Sequence, residues 1–166
     1  AIECDLLLLL VDVGDPIAEI DRKLQTSLSE LSERVLESDH ASIMERIQLV
    51  LTKADTADQA SVDSAIEMVA THGFINPIVL SSHTGTGIEE LRTTMLHSLF
   101  GPQRNVIIHP GRQGEPAIEA LLSRLFDTVY VHDHQRENNV IEVRISASDE
   151  TLAILQATYG ERIELK

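Results

Sequence analysis

The sequence predicts an α/β protein in which a helix-covered parallel sheet is followed by a smaller α+β domain. Three observations favour this class. Continuous apolar runs such as LLLLLV, residues 6–11, are typical of strands buried on both faces. Amphipathic stretches with helical spacing separate these runs. Aromatic residues make up only 3% of the 166 residues and Trp is absent, so the core is expected to consist of aliphatic side chains.

The first part of the chain contains three strand and helix pairs. Strands are predicted at residues 6–11, 47–51 and 77–80. The apolar positions that we expect to point inward from the three helices are Ile17, Ile20, Leu24, Leu28, Leu31 and Val35, then Val62, Ile66 and Val69, and finally Ile88, Leu91, Met95 and Leu99. Asp58 is a candidate N-cap of the second helix, and Gly73 its stop. This order calls for a doubly wound parallel sheet with right-handed crossovers.

The pattern changes beyond a predicted linker at residues 101–104, which separates a first domain, residues 1–101, from a second, residues 105–166. Strands are predicted at residues 106–108, 128–132, 140–145 and 161–166, helices at residues 116–126 and within residues 146–160, and a polar hairpin turn at residues 134–139. Ser146 or Ser148 can cap the last helix. Strand, helix, strand, strand, helix, strand is the ferredoxin-like order.

Charge excludes some classes of protein. The net charge is −14, which argues against a protein that coats DNA or an anionic membrane. Residues 1–100 hold 17 acids and 6 bases, and residues 101–166 hold 10 acids and 7 bases, so a polyanion would be contacted through the second part. The candidate arginines for such a contact are Arg104, Arg112, Arg124, Arg136 and Arg144. Excess acid with only three Lys is also consistent with adaptation to high salt.

The single cysteine, Cys4, excludes an internal disulfide and favours a reducing compartment. No apolar run approaches the ~20 residues that a membrane-spanning helix needs. We therefore expect a cytoplasmic protein without a membrane partner.

Polar residues follow two of the predicted strands where each strand ends. The second strand leads into Thr52, Lys53 and Asp55, and the third into Ser81, Ser82 and His83. Ligands of open parallel sheets bind beyond the carboxyl ends of the strands, where these two loops are expected to be neighbours.

The residue types at this edge suit guanine. A carboxylate binds two N–H donors in a fork strongly, and guanine presents such a fork through its ring N–H and exocyclic amino group, whereas adenine does not. Asp55 is therefore expected to select guanine. The stem of Lys53 can lie on the flat base, and the backbone N–H of Ser82 can reach the guanine carbonyl oxygen.

The motif LTKAD, residues 51–55, is similar to the NKxD motif of GTPases, and SSHTGTGIEEL, residues 81–91, resembles their SAK-type loop. CDLLLLLVDVGDP and VIIHPGRQGEPAIEALLSRLF look like segments of the HflX-type GTPase family. The resemblance implies that residues 1–101 are the C-terminal half of a P-loop GTPase-like domain lacking its N-terminal half. Residues 105–166 would be the small domain that follows it.

The resemblance further implies that Asp55 pairs with the guanine edge, that Lys53 packs over the base, and that Ser81, Ser82 and His83 close on its carbonyl side. In the intact protein it implies binding of GTP or GDP with Mg²⁺, GTP hydrolysis, and association with the large ribosomal subunit to remodel or dissociate ribosomes. No DNA partner is implied.

Two departures limit the chemistry expected of this chain alone. Position 52 is Thr rather than Asn, which is expected to weaken one guanine contact. No GxxxxGK[ST] phosphate loop occurs in the sequence, and the GTG at residues 85–87 lacks the Lys and the Ser or Thr that would hold phosphate and magnesium. We therefore expect a piece of a larger GTPase that neither hydrolyses GTP nor holds it tightly, with no catalytic residue and no metal ligand of its own.

Two other functions stay open. The chain can be a nucleotide-independent module whose second domain binds RNA or protein, or it can belong to a different guanine-nucleotide family that shares the two loops. A longer protein that binds guanine nucleotide would separate the first of these from the GTPase hypothesis.

Three smaller motifs each have a structural interpretation that we prefer. Asp12 and Asp15 could hold magnesium, but Asp15 before Pro16 is expected to cap a helix. His132 and His134 lie two apart, as metal ligands on one strand face do, but are expected to belong to an exposed hairpin. GRQG, residues 111–114, matches a nucleic-acid-binding loop but follows a strand, so a turn is expected.

Overall fold

The structure, a computed structural model, describes residues 4–34, 44–112 and 116–166. It confirms the predicted mixed α/β class. The chain divides into two compact units, Ala1–Met95 and Leu96–Lys166. The first holds a three-stranded parallel sheet and the second a separate four-stranded antiparallel sheet. Among the described residues no helix is both long and apolar enough to cross a membrane.

The first unit alternates strands and helices as the apolar runs predict. Its elements are β1 (Leu7–Asp12), α1 (Ile17–Arg34), β2 (Ile47–Thr52), α2 (Gln59–Thr71), β3 (Ile78–Val79) and α3 (Ile88–Phe100), which continues into the second unit. The strands are parallel in the order β1-β2-β3. Asp12 lies opposite Thr52 in the register, so the carboxyl ends of β1 and β2 are level.

Local signals set the ends of α2. The Asp58 side chain accepts a hydrogen bond from the backbone N–H of Ser61 at 2.8 Å, which is the predicted N-cap. Gly73 follows the helix with φ of 93°, a left-handed conformation that glycine adopts at little cost. Both predictions are confirmed.

The helices cover β1 and β2 with a core that is aliphatic apart from Phe74. Residues of this core are Val13, Ile20, Leu24, Leu49, Leu51, Val62, Ala65, Val69 and Phe74. Three inward predictions are wrong, because Ile17, Ile88 and Leu99 are between 44% and 46% exposed. β3 is only two residues long, so α3 has little sheet to cover and buries no side chain fully. Val35 lies outside the described residues.

The second unit has the predicted βαββαβ order. Its elements are β4 (Gln103–Ile108), α4 (Ile118–Thr128), β5 (Tyr130–Glu137), β6 (Val140–Ser146), α5 (Asp149–Tyr159) and β7 (Ile163–Leu165). The strand order is β5-β6-β4-β7, and every pair of neighbours is antiparallel. Ser148 rather than Ser146 caps α5, by accepting a hydrogen bond from the N–H of Thr151 at 3.1 Å.

Two predicted connections of this unit are wrong. Gln103 and Arg104, predicted as linker, belong to β4, where they pair with β6. The polar stretch predicted as a hairpin turn extends β5 to Glu137, and the turn contains only Asn138 and Asn139. Polar residues are compatible with a strand that has a solvent-facing side. Asn138 supplies the left-handed conformation, with φ of 55°.

The two histidines of β5 do not share a strand face. An irregularity between Val131 and Asp133 shifts the register, so that His134 lies opposite Val143. His132 instead contacts the hydroxyl of Ser146, at 2.9 Å from its Nε2. The spacing of two therefore does not make a metal pair, and the described residues contain no group of three His, Cys, Asp or Glu that could hold a metal ion. The GRQG motif comprises residues 111–114, and the last two of these lie outside the described residues.

Candidate functional site

The loops that follow β2 and β3 lie side by side, as the parallel order predicts. The N–H of Ala54 donates to the carbonyl oxygen of Leu80 at 3.1 Å, and the N–H of Leu80 donates to that of Leu51 at 2.7 Å. A single 3₁₀ turn, Ala54–Thr56, follows β2 and carries Asp55. The side chains of the two loops are therefore close enough to contact one ligand.

Asp55 and Ser81 join the two loops. The Ser81 hydroxyl lies 2.5 Å from Oδ1 of Asp55 and also accepts the backbone N–H of Thr84 at 3.1 Å. An ionised carboxylate only accepts hydrogen bonds, so the hydroxyl proton of Ser81 points to Asp55. Ser81 is only 1% exposed. The buried Ser81 hydroxyl thus fixes the orientation of the Asp55 carboxylate.

The side chain of Asp55 is only partly covered by the protein. Its Oδ2 lies 3.8 Å from Nδ1 of His83, which is beyond hydrogen-bond distance, and the Asp55 side chain is 25% exposed. The hydrogen bond from Ser81 lowers the pKa of Asp55 below the usual aspartate value and outweighs the opposing effect of burial. Asp55 is therefore a charged acceptor at neutral pH, as a partner of two N–H donors must be.

Lys53 has an unusual backbone conformation. It precedes the 3₁₀ turn with φ of 58° and ψ of 37°, a left-handed conformation that residues other than glycine rarely adopt. Its ammonium group lies 2.5 Å from Oδ2 of Asp12, whose Oδ1 accepts the N–H of Gly14 at 2.9 Å. The Lys53 side chain remains 64% exposed. Strained residues of this kind cluster at functional sites.

The remaining two predicted residues have different surroundings. Thr52 donates its hydroxyl to the carbonyl oxygen of Val11 at 3.0 Å, so it fastens β2 to β1. Ser82 is exposed beside the buried Ser81. The structure thus brings Asp55, Ser81 and His83 together, whereas it commits the Thr52 hydroxyl to the sheet.

Sequence reasoning missed two contacts of the site. It considered Asp12 only as a possible metal ligand, although the residue pairs with Lys53, and it gave no role to Thr84, which orients the Ser81 hydroxyl. Asp12 could have been found by aligning the ends of β1 and β2, because it lies opposite Thr52. Asp15, predicted as a helix cap, forms an ion pair with Lys23 at 2.6 Å.

A surface cavity of about 680 Å³ lies near these loops, between the first turns of α1 and α2. Its lining contains neither Asp55 nor Ser81. Three of its polar side chains already have protein partners: Asp15 binds Lys23, Thr56 donates to the Lys53 carbonyl oxygen, and Asp58 caps α2. The chemistry of the two loops therefore locates the candidate site better than the volume of this cavity does.

In the second unit, two described cations lie beside carboxylates on one face of the sheet. Arg144 forms an ion pair with Asp133 across β5 and β6, and Lys166 lies 2.8 Å from a carboxylate oxygen of Glu142. The positive charges of Arg144 and Lys166 are therefore each paired with a carboxylate, which opposes binding of a nucleic-acid backbone through these two residues.

Comparison with known proteins returned no match, either to a protein-family model or, at a significant level, to a curated protein sequence.

The site carboxylates predict how acid destabilises the first unit. The pKa values of Asp12, Asp55 and Asp58 are lowered by hydrogen bonds from Lys53, Ser81 and Ser61 respectively. The unfolded chain therefore binds more protons than the folded one at acid pH, and stability is lost as pH falls through the folded pKa values. We expect the urea midpoint of the first unit, measured through its amide NMR signals, to decrease as the pH is lowered below about 4.

The variant Asp58→Asn separates charge from capping. Asn is also a good N-cap, so α2 keeps its start while one titrating carboxylate is removed. We expect a smaller acid loss in this variant than in the unmodified chain. Identical pH profiles would show that Asp58 contributes nothing to the acid sensitivity.

Proposed function

We propose that the first unit recognises guanine, as the base-binding part of a guanine-nucleotide-binding protein. The observation that carries the proposal is Asp55, whose carboxylate is oriented by buried Ser81 at the junction of two loops, while the Asp55 side chain remains 25% exposed. A carboxylate can accept several hydrogen bonds, so the Ser81 contact leaves capacity for two N–H donors of guanine. Adenine has no such pair of donors on the corresponding edge.

The wider proposal is a cytoplasmic GTPase of the HflX type that acts on ribosomes through the large subunit. It is supported by the similarity of LTKAD and SSHTGTGIEEL to the two base-recognition motifs of GTPases, and by the adjacency of these motifs at one edge of a parallel sheet. The proposed fold of the first unit is accordingly part of a doubly wound, P-loop GTPase-like sheet.

The residues of this chain fit the base of GTP and not its phosphates or Mg²⁺. No GxxxxGK[ST] sequence is present, and Lys53, the lysine at the site, is paired with Asp12. Hydrolysis would require a phosphate loop and magnesium ligands from outside these residues. In this proposal the chain supplies base selection and no catalytic group.

A titration with nucleoside monophosphates tests guanine recognition without requiring hydrolysis. We expect GMP to shift the backbone amide NMR signals of residues 53–55 and 81–86 with an affinity in the millimolar range or weaker, because the contacts are few. AMP at the same concentrations is the control, since it has the same ribose and phosphate. Equal shifts with AMP and GMP, or none with either, would refute guanine recognition.

A further inference from the structure

We propose that Asp12 is a positioning residue for guanine binding: it holds the ammonium group of Lys53 so that the lysine stem forms one wall of the base site. This inference rests on the proposed function. It adds a residue from the end of β1 to the two loops already assigned.

The hydrogen bonds of Asp12 fix its carboxylate. Oδ1 accepts the N–H of Gly14 at 2.9 Å, and Oδ2 lies 2.5 Å from the Lys53 ammonium. Asp12 also ends β1 directly opposite Thr52, the residue before Lys53. The anchor for the lysine is therefore built into the strand pairing.

Thr56 holds the backbone of Lys53 by two hydrogen bonds. The Lys53 carbonyl oxygen accepts the N–H of Thr56 at 2.9 Å and the Thr56 hydroxyl at 2.8 Å. The residue lies in a left-handed conformation that glycine would adopt at less cost. An exposed ion pair such as Lys53 with Asp12 usually contributes little to stability. A lysine in this strained position is therefore better explained by ligand binding than by folding.

The pairing determines what Lys53 can offer to a ligand. Its charge is satisfied by Asp12, and the hydrogen bond with Asp12 raises the pKa of Lys53. The side chain is 64% exposed, which leaves its stem accessible to a flat ring. Such a contact tolerates any purine. Asp12 should therefore affect affinity, whereas Asp55 sets selectivity.

The test compares Asp12→Asn with Asp15→Asn. Asparagine at position 12 keeps an oxygen for the Gly14 N–H and replaces the charged oxygen that holds Lys53 with an NH₂ group, which cannot accept from an ammonium. Asp15 lies close by, in the loop after β1, and pairs with Lys23. NMR titration should show that Asp12→Asn weakens GMP and IMP binding by the same factor, about two- to fivefold. The pKa of Lys53, followed at its Cε resonance, should fall in Asp12→Asn and stay raised in Asp15→Asn.

A second background shows whether Asp12 acts through Lys53. In Lys53→Met, which has no ammonium group, Asp12→Asn should cause no further loss of affinity. An equal loss in both backgrounds, or GMP binding unchanged by Asp12→Asn in the unmodified chain, overturns this inference alone. Failure of the unmodified chain to bind GMP overturns the proposed function and the inference with it, whatever the pKa of Lys53.

Discussion

Asp55→Asn is expected to change the preferred base from guanine to xanthine. The Ser81 hydroxyl donates to Oδ1 of Asp55, so an asparagine oxygen is favoured at that position and the amide NH₂ takes the outer position. The outer group then donates, which suits the carbonyl of xanthine and opposes the amino group of guanine. We expect GMP affinity to fall about tenfold or more and XMP binding to increase.

Asp58→Asn is the matched control for this exchange. It replaces an aspartate close in sequence by the same residue, but Asp58 caps α2 and does not contact Ser81. Its preference for GMP over XMP should equal that of the unmodified chain. Unchanged discrimination in Asp55→Asn would remove Asp55 from the site.

Gly87→Ala is expected to unfold or severely destabilise the loop between β3 and α3. A Cβ at Gly87 would lie 2.1 Å from the carbonyl oxygen of Val79 and 3.0 Å from its carbonyl carbon, and φ is +74°. Both contacts are with backbone of β3, which cannot rotate away as a side chain can. We expect a loss of about 2 kcal/mol or more in the free energy of unfolding, measured by hydrogen exchange of the Leu51 amide.

Gly85→Ala separates the clash from the backbone preference. Gly85 has φ of +83°, but a Cβ there would meet nothing within 4 Å. The cost should be limited to the left-handed conformation, about 1–2 kcal/mol. GMP binding should be lost in Gly87→Ala, because this loop holds Ser81 in place. The backbone N–H of Ser81 donates to the Thr86 carbonyl oxygen at 3.0 Å. Equal destabilisation by the two substitutions would show that the contact with Val79 is unimportant.

The features that sequence predicted well depend on residues close together in the chain. Asp58 caps α2 through a residue three positions away, and Gly73 ends that helix with its own backbone conformation. The apolar run before Asp12 is long enough to mark a strand without any tertiary information. The adjacency of the Asp55 and Ser81 loops followed from one rule about parallel sheets, which places consecutive strand ends at the same edge.

The features that were missed depend on tertiary contacts. The exposure of Ile88 and Leu99 follows from a two-residue β3, which helical spacing cannot reveal. The separation of His132 from His134 follows from an irregularity in strand pairing. Lys53 and Asp12 are 41 residues apart, so their contact required the register of β1 and β2.

The carboxyl carbon of Asp55 provides the most direct test of guanine recognition. Its ¹³Cγ resonance should shift during the GMP titration, because two N–H donors of the base are expected to bind this group. The same resonance should not move with AMP, and Asp58 provides an internal reference in each spectrum. A GMP titration that shifts the loop amides but leaves the Asp55 carboxyl unchanged would contradict guanine selection by Asp55.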